Sequence, residues 1–442
     1  MWHFNARYCT IMVIHLDCFR KRIQFRFKKI REKIYFPVAL ILFYFIMPNP
    51  VLGNEEKRIQ TELILASSGD TIRLNDGVIP ILGTLSLEGK SNIVIKGNGI
   101  DQTIISFKEQ IEGAQGLSIV NCKNIVLEDF TVLDTKGDAV KAQFVDGITF
   151  RRVKARWSGG PSEENGAYGL YPVQCKNVLI EFCVATGASD AGIYVGQSEN
   201  IIVRYSEAYH NVAGIEIENS IQADVYGNNS YENAGGILVF DLPGLVKKSG
   251  GNIRVYENNI IENNFENFAP PGNIVGKVPS GTGIMIMATK EVEIFDNLII
   301  NNKTAGTAVV SYYITEEPIN DPSYNPYTSS VFIHNNIYKK EPQIPTLKHE
   351  IGELLFLRFG RNVPDIIYDG MLDPKLLSED GKILYNKRLC IQNNKNAEYL
   401  NLDIKNNFDT WYKPIIASFN TNIIECDCRL NPIKKTVLLT KN

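Results

Sequence analysis

The sequence predicts an all-β chain: a single-stranded, right-handed parallel β-helix with an N-terminal cap and a less regular C-terminal segment. Three observations carry this. The first is a Gly-led apolar strand that recurs as YGLYPVQ (168–174), AGIYVGQ (191–197), AGIEIEN (213–219), GGILVFD (235–241) and TGIMIM (282–287). Gly169, Gly192, Gly214 and Gly236 are spaced 23, 22 and 22 residues apart. A fixed period of that size marks stacked repeats, each burying its apolar face against its neighbours. The second is a strand family in phase with the first: ITFRRV (148–153), VLIEFC (178–183), IIVRYS (201–206), ADVYGN (223–228), IRVYEN (253–258), VEIFDN (292–297) and VFIHN (331–335). Each alternates apolar and polar residues, as a strand with one buried face does. The third is the column of their last residues, Val153, Cys183, Ser206, Asn228, Asn258, Asn297 and Asn335. Asn at a tight corner satisfies turn backbone, and stacked Asn side chains bond one another. Two strands and their turns fill the period, so no helix fits within it. The right hand follows from strand twist and crossover preference.

The elements follow in chain order. Residues 20–33 hold eight Lys/Arg and one Glu, and the 14-residue apolar run Ile34–Met47 and PNPVLG come next. This is the pattern of a signal peptide over 1–53, cut after Gly53, and it directs the chain to the periplasm, the cell surface or the medium. The run is short for an unaided membrane span; an uncleaved anchor is the alternative. Residues 1–19 lengthen the leader and leave the true start codon open. Without residues 1–53 the chain keeps 37 basic and 47 acidic residues, a net charge of −10. That balance excludes nucleic acid as an expected partner.

Residues 54–91 are expected to lead in and cap the first coil, since an open solenoid end exposes apolar surface. Coils are expected over 92–340. From 341 the period is lost. HEIGELLFLRF (349–359) fits either a short helix or a strand, and 341–442 either a cap or a small module. Cys122, Cys175 and Cys183 lie in or beside strands, where a small buried residue fits. Cys390, Cys426 and Cys428 lie outside the repeat, where export permits one bridge from Cys390 to Cys426 or Cys428. There is no CxxC, so zinc-ribbon and haem-attachment readings fail.

Four inserts border the Gly-led strands: 158–165, 242–250, 265–280 and 315–329. Inserts of repeat proteins gather on one face, often the binding face. They predict a groove floored by Gly-led strands. The first outward column reads Lys141, Tyr171, Tyr194, Glu216, Leu238, Met285 and the second Gln143, Val173, Gly196, Glu218, Phe240, Met287. Gln174, Gln197, Asn219 and Asp241 follow at the turn, and Trp157 and Tyr168 flank the region. Rings beside amides and carboxylates suit a sugar, whose apolar faces stack while its hydroxyls bond; a plain stabilising ladder is the alternative. Glu216 and Glu218 on one strand lie roughly 6–7 Å apart, with Asp241 one coil, roughly 5 Å, away. Three such acids suit Ca²⁺ or general acid–base work, or form a solvated acidic patch. Otherwise no cofactor is required. His210 reads as a turn residue, and Lys141 as a group that neutralises a carboxylate.

Coils 92–340 resemble the pectate-lyase-like, right-handed β-helix superfamily, whose members bind or cleave polysaccharides. GAYGLYPVQ, GASDAGIYVGQS, AGIEIENS and GGILVFDLPGL further resemble a bacterial group of exported parallel β-helix repeat proteins of undetermined activity. The resemblance extends to VPDIIYDGMLDP and the late cysteines. YGLYPV is similar to the YGFDPH motif of alginate C5-epimerases: Tyr168, Gly169 and Pro172 match, while Tyr171 and Val173 stand at the motif's Asp and His positions. The acid of the next coil falls at Gly196. What the resemblance leaves for catalysis is Tyr168, with Lys141 as neutralising partner, in a lyase or epimerase. The expected function is polysaccharide binding, with or without modification. The alternatives are a structural or adhesive surface solenoid, and an accessory factor of a periplasmic metal or redox system. Met285 and Met287 share one outward face, yet the chain lacks the ligand clusters a metal handler needs.

Overall fold

A computed structural model describes residues 52–438. The basic segment, the apolar run and nearly all of the expected leader lie outside the described residues. From Glu55 onward the chain makes one compact unit. Its strands form two parallel sheets, an 11-stranded sheet holding the Gly-led strands and a 19-stranded sheet holding the second family. Neighbouring coils pair in parallel: Ile193 lies against Ile215, Ile215 against Ile237 and Ile237 against Ile284. These side chains point inward and are fully buried in one continuous core. Among the described residues no helix is long and apolar enough to cross a membrane.

The repeated glycine has a steric cause. A Cβ at Gly169 would lie 2.5 Å from the carbonyl oxygen of Gly192, and one at Gly236 would lie 2.4 Å from that of Gly283. Backbone of the next coil occupies the space, so no side chain fits.

The Asn column is a hydrogen-bonded ladder. The Asn228 amide donates to Oδ1 of Asn258 at 3.0 Å, and Asn258 repeats the bond to Asn297. Asn297 donates to Asn336, and Asn336 to Asn394, both at 2.9 Å. The ladder thus passes through Asn336 rather than Asn335. Asn335 takes the left-handed position (φ 56°) that Glu257 and Asp296 hold in earlier coils. A second ladder, Asn211, Asn233, Asn263 and Asn302, lines another corner.

The ends depart from the expected boundaries. Strand Thr71–Arg73 already pairs with Ser91–Lys96, so coiling begins before residue 92. Helix Leu52–Leu65 closes that end, burying Ile59 and Leu63. The Glu56 carboxylate accepts from Leu82 N at 3.0 Å and Gly83 N at 2.8 Å. Past residue 340, Ile366–Tyr368 and Tyr399–Asn401 extend the Gly-led sheet, and Leu389–Gln392 extends the other. Three strands between residues 366 and 401 therefore add to the solenoid, and the segment belongs to the same compact unit as the coils. Residues 350–359 are a helix, Glu350–Phe359. The disulfide joins Cys390 to Cys428, and Cys426 is free and buried.

The largest departure concerns the expected groove. Leu238, Phe240, Met285 and Met287 do point away from the solenoid core. Yet they are buried in a second apolar core with Val275, Val278, Tyr312, Tyr324 and Leu355. The inserts and the C-terminal helix lie down on this half of the face instead of standing beside it. The reason is in the columns themselves: four large apolar side chains on adjacent coils are stabilised by about 25 cal/mol per Å² of surface covered. The half of the face before Tyr194 carries Ser86, Ser118, Lys141, Gln143 and Tyr171, which keep solvent exposure.

Candidate functional site

Parallel pairing places Tyr171 beside Lys141, Tyr194 beside Glu216, and Gly196 beside Glu218. The rings of Tyr168, Tyr171 and Tyr194 gather where the open half of the face meets the covered half. Centroid separations are 4.4 Å for Tyr168–Tyr171, 4.4 Å for Tyr168–Tyr194 and 5.0 Å for Tyr171–Tyr194. The Lys141 ammonium lies 5.1 Å from the Tyr171 ring centre, within cation–π range. Tyr168 and Tyr171 are half-buried; Tyr194 is buried and its hydroxyl donates to Glu218 Oε1 at 2.5 Å.

Other expected site residues have structural posts. Trp157 is buried, and its indole N–H donates to the Thr135 carbonyl at 2.8 Å, so it is a core residue and no sugar platform. Asn219 is fully buried; its amide donates to the carbonyls of Leu242 and Lys247 and its Oδ1 accepts from Leu242 N. Gln197 Oε1 accepts from Val246 N and Lys247 N. Both residues thus pin the 242–250 insert. Gln174 accepts from Gln143 Nε2 at 2.9 Å and stays half-buried on the open side. Asp241 is buried, and one of its oxygens accepts from Gly250 N at 2.7 Å.

Glu216, Glu218 and Asp241 are not a solvated patch; all three are buried. Nor do they converge as a cation cage. Among the described residues no group of three or more His, Cys, Asp or Glu side chains is arranged to hold a metal ion. Glu218 is engaged by Tyr194 and Asp241 by the insert backbone, so the Ca²⁺ expectation gains no support from the geometry. Among the described residues Glu216 Oε2 is buried with no hydrogen-bond partner, and Asp241 Oδ1 has none of regular geometry, with the Thr289 hydroxyl near its carboxyl.

Two acids that the sequence reading passed over complete the site. Asp190, in GASDAG, is buried and accepts from the Tyr168 hydroxyl at 3.4 Å. Asp138 Oδ1 accepts from Tyr168 N at 3.3 Å. An acid opening a Gly-led or equivalent strand was the available signal in both cases; each reads as an ordinary turn residue.

Burial dominates the electrostatics, because desolvation disfavours the charged form. It pushes Asp190 up to about 8, helped by the Glu218 charge. It raises Glu216 well above the carboxylate range, with Asp190 and Glu218 adding to the effect. Burial lifts Glu218 to about 7 against the lowering Tyr194 hydrogen bond. Asp241 rises to about 7 by burial, opposed by its bond from Gly250. Asp138 rises to about 6 by burial, with Lys141 pulling the other way. Tyr171 is lifted to about 12, and Tyr168 and Tyr194 are held well above the usual phenol range by burial and nearby acids. At neutral pH the cluster therefore stores protons shared among its carboxyls. Tyr168 stays a phenol at neutral pH and can donate a hydrogen bond, as it does to Asp190.

Residues 145–316 match the family model described as right handed beta helix region. The chain is similar in structure to the A-module of the Azotobacter vinelandii mannuronan C-5 epimerase AlgE4, at 16% identity and a TM-score of 0.46, covering 77% of this chain and 90% of that one. It is also similar to endopolygalacturonase I from Stereum purpureum, at 14% identity and a TM-score of 0.37, covering 64% of this chain and 93% of that one. Likenesses this distant carry no argument about activity. Comparison with curated protein sequences gives no match. The family match, together with two sheets of parallel strands, makes the chain a right-handed parallel β-helix.

Proposed function

We propose that this chain binds a polysaccharide along the open half of the Gly-led face, with the tyrosine cluster closing one end of the path. The observation that supports the reading is the cluster's position. Three rings within 5.0 Å of one another stand at the edge of the covering inserts. On its open side runs a strip in strand register: Ser86, Ser118, Lys141 and Tyr171 in one column, and the mixed column Glu88, Val120, Gln143 and Val173 in the next. Four coils at the spacing of neighbouring strands give the strip a length of about 14 Å. Such a floor offers a ring face, a cation and amides to a hydroxylated chain. Export is part of the proposal; the basic segment and apolar run support it, and so does the Cys390–Cys428 disulfide.

One observation keeps a catalytic version in view: Asp138 is only half-buried, titrates at about 6 and lies near Lys141. That is a base of suitable strength beside a cation suited to a carboxylate.

A panel of neutral and acidic glycans, titrated against the protein, tests the proposal. Tyr171→Ala should weaken the best binder by about three- to tenfold, the worth of one aromatic contact, with its melting temperature little changed. Unaltered affinity would remove the cluster from the site. A large fall in melting temperature would make the rings a structural ladder. Unsaturated products appearing with wild type and vanishing with Asp138→Asn would support the catalytic version.

A further inference from the structure

A cleft of about 620 Å³ lies far along the solenoid, between the corner at Tyr338–Pro342 and the segment Arg361–Asp365. It is separate from the tyrosine cluster. We propose that it is a binding site for a small, hydroxyl-rich carboxylate of the sugar-acid class, with the Lys340 ammonium taking the carboxylate. Lys340 follows strand Ile337–Lys339 and is drawn inward, where its ammonium donates to the Val363 carbonyl at 2.7 Å. Among the described residues it makes no ion pair, and an ammonium has two further protons to give. Asp365 and Glu398 lie near enough to favour its charge without bonding it, which leaves those protons for a ligand.

The rest of the lining narrows the ligand. Arg361 is exposed at the rim and forms no ion pair among the described residues, so it can reach the same carboxylate. Asn362, Asn396 and Glu398 offer donors and acceptors for hydroxyls. Asp365, Glu398 and Glu341 also line the cleft and disfavour a dianion. One negative charge on a polyhydroxylated body fits best. The volume is within the range of small-ligand sites. Burial lowers the Lys340 amine to about 8, while Asp365 and Glu398 work to raise it. Lys339, Arg361 and Glu341 complete the charged groups facing it. Affinity should accordingly decline as pH rises through about 8.

The test is calorimetric titration of the full chain with D-glucuronate, D-glucose and inorganic phosphate. Glucuronate and glucose share a ring and differ by the carboxylate. Glucuronate should bind at least about tenfold more tightly than glucose or phosphate, as a charge-assisted contact implies. Lys340→Met, which keeps the stem, should abolish that preference. Equal binding of glucose, preference for phosphate, or an unchanged preference in Lys340→Met would overturn the proposal. Should circular dichroism show that Lys340→Met misfolds, Arg361→Gln at the exposed rim decides. A several-fold loss of glucuronate affinity supports the site, and no loss overturns it.

Discussion

Glu218→Gln tests the electrostatics of the tyrosine–carboxyl cluster. Glu218 is buried, accepts from the Tyr194 hydroxyl and titrates at about 7, against 4.5 when unperturbed. An acid raised in the folded state binds its proton more tightly there than in the unfolded chain. Between pH 4.5 and 7 the folded form thus holds the proton that the unfolded form has lost, and stability falls as pH rises. At 1.36 kcal/mol per unit, the upward shift that Glu218 shares with its coupled neighbours costs on the order of a few kcal/mol at pH above 7. Asp190, Glu216 and Asp241 act in the same direction. Paired acids such as Asp129, Glu181 and Asp321 are shifted the other way. Their stabilisation is present above the ordinary carboxylate pKa and is lost as pH falls below it, so it hardly changes above about pH 5. Urea unfolding at about pH 5, 7 and 9 should show wild type losing stability across the series. In Glu218→Gln, whose amide oxygen can still accept from Tyr194, the slope should be shallower and the variant the more stable protein at high pH. Parallel slopes in the two proteins, or a wild type that gains stability from pH 5 to 8, would refute the account.

Two further predictions concern the scaffold. Asn258→Ala removes the amide that links Asn228 to Asn297 and leaves buried partners unpaired, which should cost about 1–3 kcal/mol for each group orphaned; denaturant unfolding checks it, and a loss below about 0.5 kcal/mol would mean the ladder is not a source of stability. Replacing Cys428 by Ser opens a bridge between residues 38 apart and should cost about 3–4 kcal/mol by loop entropy; an equal melting temperature for wild type under oxidising and reducing conditions would contradict this.

How much was legible in the sequence depends on what each residue answers to. Gly236 and Asn258 answer to the coil directly above or below, so period and position expose them. Glu216 and Phe240 were correctly placed on the outward columns, because strand alternation fixes the side. What alternation cannot fix is whether the outward side meets water. That was decided by segments without a period: the 265–280 insert, Tyr312, Tyr324 and the helix at 350–359, which settle on Leu238 and Met285. Asp190 was hidden for a related reason. Its burial comes from the coils and rings around it, and nothing in GASDAG distinguishes a turn acid from one that shares a proton.

The acids are not demanded by stacking. In the same two columns, further along, Leu238, Phe240, Met285 and Met287 fill the outward positions and pack into the second core. Leu in place of Glu216 would extend that core and remove an unpartnered buried oxygen. The chain instead holds Glu216, Glu218 and Asp190 where desolvation opposes their charge, beside the buried Tyr194, whose ring packs on the part-exposed Tyr168 and Tyr171. A local arrangement that lowers stability without serving the fold is characteristic of functional sites. The open strip, not the larger apolar surface beyond it, is therefore where ligand should be sought first.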